Sequence, residues 1–117
     1  MKYGFTPGFG ASYILPKRFG DTLGNEMLFT ARNYYGRELK ERGVPVKIVP
    51  KQEVIQTAFQ VANDLADKPL ISLNVLKKHL TRHIRTELPG AVKKELEMHE
   101  ITFAQPEVLD RIEGLFG

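Results

Sequence analysis

The chain has 117 residues, 42% of them hydrophobic, with 17 Lys plus Arg against 14 Asp plus Glu and a net charge of +3. That length suits one globular unit, and so mild a positive excess favours acidic partners without requiring nucleic acid. The absence of cysteine excludes disulfides and thiolate metal sites, no apolar run reaches the roughly 20 residues of a membrane span, and the opening run Met1 to Gly8 lacks the apolar core of a signal peptide; a soluble, cytoplasmic protein without membrane attachment is expected.

Gly4, Pro7, Gly8 and Gly10 crowd the first ten residues, which predicts an irregular, close-packed turn, with Lys2 to Phe5 as a short extended segment. From Ala11 to Thr30 the apolar residues suit two short helices broken near Pro16 and Gly20. Gly36 to Arg42 reads as another helix, closed by Gly43. Val44 to Pro50 is the one β-rich run, and its prolines place a strand over Val46 to Val49 at an edge.

From Lys51 to Asp67 the apolar residues Val54, Ile55, Ala58, Phe59, Ala62, Leu65 and Ala66 keep to one helical face, and Lys68-Pro69 ends it. Ser72 is placed to cap a helix whose stripe, Leu73, Leu76, Leu80, Ile84 and Leu88, runs to Pro89-Gly90. A further helix is expected over about Ala91 to Phe103, and a last one with Pro106 in its first turn. There is no internal repeat or linker. The expectation is a single unit over 1–117, mainly α with one or two short strands: a Gly-rich turn, short helices and strand in 1–50, and C-terminal helices in 51–117.

The residue that attracts chemistry is His99. Val92, Leu96, His99 and Phe103 fall at i, i+4, i+7 and i+11, one helical stripe, so an imidazole points where a core residue should be. Such a histidine is either a structural group satisfied by a backbone carbonyl or by Glu95, or one poised for proton transfer. His79 and His83 stand four apart, a zinc-compatible spacing, but no third ligand is evident and no metal is expected. Lys77, Lys78, Arg82 and Arg85 lie opposite the leucine stripe in a stretch, 68–86, without any acid. This is a solvated face or a docking surface for an acidic partner. Gly8-Phe9-Gly10 lacks the third glycine and the βαβ setting of a dinucleotide site, and Tyr34-Tyr35 beside Arg32 and Arg37 is too isolated to argue for nucleic acid.

The runs Gly4-Phe5-Thr6-Pro7-Gly8-Phe9-Gly10-Ala11-Ser12, Leu15-Pro16-Lys17-Arg18-Phe19-Gly20 and Glu26-Met27-Leu28-Phe29-Thr30-Ala31 resemble the segment that follows the catalytic strand in the crotonase (enoyl-CoA hydratase/isomerase) superfamily. Tyr35-Gly36-Arg37-Glu38-Leu39-Lys40-Glu41-Arg42-Gly43-Val44-Pro45 and Met98-His99-Glu100-Ile101-Thr102-Phe103, with Gln105-Pro106-Glu107-Val108, narrow the resemblance to the decarboxylating homologues of polyketide β-branching cassettes. The resemblance implies the C-terminal half of a crotonase-like α/β fold. It implies decarboxylation of a 3-methylglutaconyl-type thioester, carried on the phosphopantetheine of an acyl carrier protein or on CoA, with no other cofactor. It also implies a trimeric assembly, with oxyanion-hole amides supplied by an N-terminal half. Two positions carry over: His99 as the catalytic histidine and Gly8 as a backbone group lining the substrate cavity, where the alternative for Gly8 is a tight turn needing positive φ. Hydration or isomerisation of an enoyl thioester, or a helical binding fragment without turnover, are the other outcomes.

Overall fold

The computed structural model describes residues 2–116, and within them the protein is helical: α1 (Ala11–Thr30), α2 (Gly36–Glu41), a 3-10 turn (Lys51–Glu53), α3 (Val54–Ala66), α4 (Leu70–Leu80), α5 (Arg82–Phe103) and α6 (Pro106–Phe116). No strand forms among the described residues, which corrects both extended segments expected from the sequence. The reason over Val44 to Val49 is local. The Val44 N–H turns back to the Leu39 carbonyl at 3.0 Å and the Val46 N–H to the Val44 carbonyl at 2.8 Å, while Pro45 and Pro50 have no N–H to offer a ladder. Over Lys2 to Phe5 the left-handed Gly4 (φ 93°) bends the chain. No described helix is long and apolar enough to cross a membrane.

The chain divides into two compact units. One contains the residues up to Asn33 and those from Ile84 onward; the other is Tyr34–His83. In the first, α1 is two helical pieces joined at Gly20, whose φ of 77° and ψ of 160° are open only to glycine. The break expected there is present, whereas Pro16 sits inside the first piece without ending it. The second piece folds back so closely that a Cβ on Gly24 would stand 2.6 Å from Pro16 Cα. The N-terminal residues are fastened to α5 and α6 by rings: Phe5 stacks on Phe103 at 4.6 Å, and Tyr3 stacks on Phe5 at 5.8 Å and on Phe116 at 5.7 Å. Val108, 2% exposed, packs beneath Gly4 and anchors α6, which begins at Pro106 as the sequence predicts.

α5 starts well before the expected Ala91 and runs through Pro89. Proline removes one helical hydrogen bond, but Leu88 and Val92 on either side of it pack against Gly10, and that tertiary burial carries the helix across. The break lies instead at Thr81. Both its N–H (3.0 Å) and its hydroxyl (2.8 Å) go to the Lys77 carbonyl, and at φ −90°, ψ 0° it closes α4. The expected leucine stripe is therefore split between two helices.

In the second unit α2 closes at Gly43 (φ 72°), as expected, and Val44 is its buried apolar residue. α3 ends at Lys68-Pro69, also as expected. Ser72 is not a cap: the Pro69 carbonyl already accepts the Ser72 and Leu73 N–H groups at 3.0 and 3.2 Å, so Ser72 lies within the first turn of α4. Helical periodicity places apolar side chains along α3 and α4, yet they are left open, Phe59 at 66% and Ile71 at 71% exposure.

Candidate active site

α1 opens at an N-cap that has no side chain. Gly10 holds that position at φ 82°, ψ 10°, so the orphan N–H groups of the first turn need acceptors from elsewhere. Glu95 of α5 supplies them. Its Oε2 accepts the Gly10 N–H at 2.6 Å, and its Oε1 accepts the Ser12 N–H at 2.8 Å and the Ser12 hydroxyl at 2.5 Å. The carboxylate is 1% exposed. Burial pushes the Glu95 carboxyl up, but the Ser12 hydroxyl, the Ser12 and Gly10 N–H groups and the charge of His99 together outweigh it and hold the group below its ordinary value. The positive end of the α1 dipole acts in the same direction.

One turn further along α5, His99 Nε2 lies 2.8 Å from the Thr6 carbonyl oxygen. A carbonyl only accepts, so Nε2 carries the proton and Nδ1 is the basic ring nitrogen. Thr102, another turn on, meets the Thr6 N–H and hydroxyl at 3.4 Å. The ring of His99 stands edge-on to Phe103 at 5.3 Å and to Phe5 at 6.1 Å, both interplanar angles close to perpendicular. Of the two structural partners open to His99 in the sequence, the backbone carbonyl is the one used. Glu95 spends its hydrogen bonds on the turn.

Between these anchors lies Gly8. A Cβ there would stand 2.5 Å from His99 Cε1 and 3.2 Å from Nε2, so only glycine lets the ring approach this backbone. This replaces the positive-φ reason considered for Gly8. The left-handed residues are Phe9 (φ 57°) and Gly10, and with the Ala11 N–H on the Gly8 carbonyl at 3.1 Å they form a turn with the φ signs of type I′. For Phe9 that conformation costs about 1–2 kcal/mol, and its ring is fully exposed at the tip. Thr6, Pro7, Gly8, Leu15, Met27 and Leu28 line a cleft of about 220 Å³. Gly8 thus both meets the imidazole and lines an apolar cleft with room for an acyl chain.

The seam's inward line is Leu88, Val92, Glu95, His99 and Thr102, not the stripe through Leu96, which is 57% exposed. Glu95, weighed from the sequence only as a partner for His99, instead closes the turn at Gly10 and Ser12. The signal was available in the bare glycine N-cap of α1. Of the other candidates, His79 and His83 fall on different helices, and among the described residues no cluster of His, Cys, Asp or Glu could hold a metal ion. Arg32, weighed as a base-stacking neighbour, pairs with Glu26 at 3.1 Å.

A mainly helical chain with a glycine turn set against a helix-borne histidine has a counterpart among known families. The enoyl-CoA hydratase/isomerase family model matches residues 1–116, and the chain belongs to that family. Bacillaene synthase decarboxylase PksI of Bacillus subtilis is 50% identical over 117 residues, 100% of this chain and 47% of that protein. A solved structure from a dehydratase/decarboxylase enzyme couple involved in polyketide β-branching superposes with a TM-score of 0.96 at 50% identity, covering 100% of this chain and 48% of that one. The ECH2 decarboxylase domain of CurF from Lyngbya majuscula superposes at 0.93 with 46% identity, covering 97% and 47%. The chain therefore spans about half the length of these relatives, of which PksI and the CurF ECH2 domain are named as decarboxylases.

Proposed function

We propose that this chain is the C-terminal half of a polyketide β-branching decarboxylase acting on a 3-methylglutaconyl-type thioester carried by an acyl carrier protein. The observation that carries the reading is the apposition of His99 and the Gly8 backbone in a chain 50% identical, along its whole length, to a bacillaene synthase decarboxylase. The bond from the terminal carboxylate to its methylene carbon breaks and carbon dioxide leaves. The electron pair spreads through the double bond onto the thioester oxygen, and a proton delivered to carbon gives the 3-methylcrotonyl-type thioester. His99 orients the departing carboxylate or protonates the dienolate. The cleft beside Gly8 receives the acyl chain. The amides that hold the thioester oxygen come from the N-terminal half. No cofactor is needed beyond the phosphopantetheine or CoA arm of the substrate, and the complete protein works as a cytoplasmic trimer. Exposed Lys77 and Lys78 at the end of α4 are suited to an acidic carrier.

The test is carbon dioxide release from 3-methylglutaconyl carrier protein, with and without the N-terminal half. The 117-residue chain alone is expected to be inactive, since loss of even one oxyanion donor costs roughly 10²-fold or more. Equal turnover by the chain alone would refute the division of labour. Water addition to a crotonyl thioester without carbon dioxide release would establish the hydratase chemistry instead.

A further inference from the structure

Residues 6–12 are held by three side chains on successive turns of α5: Thr102 and His99 at Thr6, and Glu95 at Gly10 and Ser12. Gly8 lies between the two anchorages. The hydrogen bond from His99 secures only the near end, while the left-handed pair Phe9 and Gly10, strained at Phe9, stands at the far end. A flip of that turn would turn the Gly10 N–H away from α5. The Glu95 carboxylate opposes the flip, because Gly10 and Ser12 present three donors that both of its oxygens accept. Only a carboxylate meets all three, since an amide would set its NH₂ against a backbone N–H on one side.

We infer that Glu95 is a positioning residue for the proposed decarboxylation, locking the Phe9-Gly10 turn so that the Gly8 backbone and His99 keep a fixed separation. The inference rests on the proposed function for its kinetic effect, though its structural content stands apart from it. Glu95 touches no substrate. It ties the turn to the same helix that carries His99, so a shift of the turn is a shift of the reacting geometry.

In the longest polypeptide that carries this chain, Glu95→Gln is expected to lower kcat by roughly 10- to 100-fold with KM within about threefold, the cost of an ångström-scale misplacement of reacting groups. The His99 Nε2–H proton resonance, sharpened by its bond to the Thr6 carbonyl, is expected to exchange with water roughly tenfold faster in the variant. A variant that melts earlier yet keeps wild-type kcat and the wild-type His99 resonance would overturn the inference, leaving Glu95 a stabilising cap alone. If Glu95→Gln does not fold, Ser12→Ala decides: it keeps the carboxylate and both N–H bonds, and a drop in kcat of roughly two- to fivefold at unchanged KM is expected from one lost hydrogen bond. Unchanged kcat in that variant would overturn the inference. Should the wild-type protein release no carbon dioxide, the proposed function falls, and the His99 resonance in Glu95→Gln still tests the positioning role.

Discussion

The seam between residues 6–12 and α5 buries a charged group at Glu95 and Gly10, whereas α3 and α4 of the second unit leave apolar side chains open. Glu95, with a full charge, is 1% exposed, while Leu70 and Ile71 are each 71% exposed. Hydrophobicity alone would predict the reverse. Burial follows from whether a partner fits: three donors converge on Glu95 and compensate its desolvation, but Leu70 and Ile71 of α4 have no such cover. Each large aliphatic side chain left in water forfeits about 1.5–3 kcal/mol, stabilisation that the open faces of the second unit do not collect. The site of the buried charge is where precise chemistry can be held.

The comparison is broken most sharply at His99. In the complete protein His99→Ala is expected to lower turnover by roughly 10²- to 10⁴-fold, and His99→Gln, which cannot shuttle a proton, to leave it low. The lost hydrogen bond to Thr6 should cost stability by only about 0.5–1.5 kcal/mol. Paired melting and rate measurements check this: a large loss of stability with near-normal turnover of the folded fraction would make His99 structural.

Gly8→Ala attacks the same seam through space. Its Cβ would fall 2.5 Å from His99 Cε1, so ring or turn must move, and a loss of about 1–3 kcal/mol in unfolding free energy is expected, read from denaturant titration. A neutral result would mean that the turn yields without strain.

The charge of Glu95 gives the seam a pH dependence with a definite sign. Its carboxyl is held below the ordinary value in the folded chain, so its stabilisation is present above the unfolded carboxylate pKa and is lost as pH falls through the lowered folded value. The stability difference between wild type and Glu95→Gln, about 1–3 kcal/mol near neutrality, should shrink through that acidic window. A difference that grew with acidity would contradict the assigned direction.

The open faces provide smaller effects on folding and a clear one on assembly. Ile71→Glu should change the unfolding free energy by no more than about 0.5 kcal/mol while weakening self-association, measured by sedimentation. Smallest of all, His79→Ala and His83→Ala should leave turnover within about twofold, since neither contributes to the seam.

What the amino-acid order determined by itself was local. The helical stripe of α3, the start of α6 at Pro106, the closure of α2 at Gly43 and the break of α1 at Gly20 depend on residues within a turn or two, and each was legible. The family resemblance carried in the Pro7-Gly8 and Met98-His99 runs was legible too, and both segments meet at the site. Tertiary structure decided the rest. Pro89 survived inside α5 because Leu88 and Val92 found Gly10, and the inward register of α5 passed through Glu95 in place of Leu96. Glu95 reaches its donors across 85 residues of sequence, a distance at which periodicity carries no information. An isolated glutamate reads as a surface charge, and only the convergence of the Gly10 and Ser12 donors at the bare start of α1 makes burying it favourable.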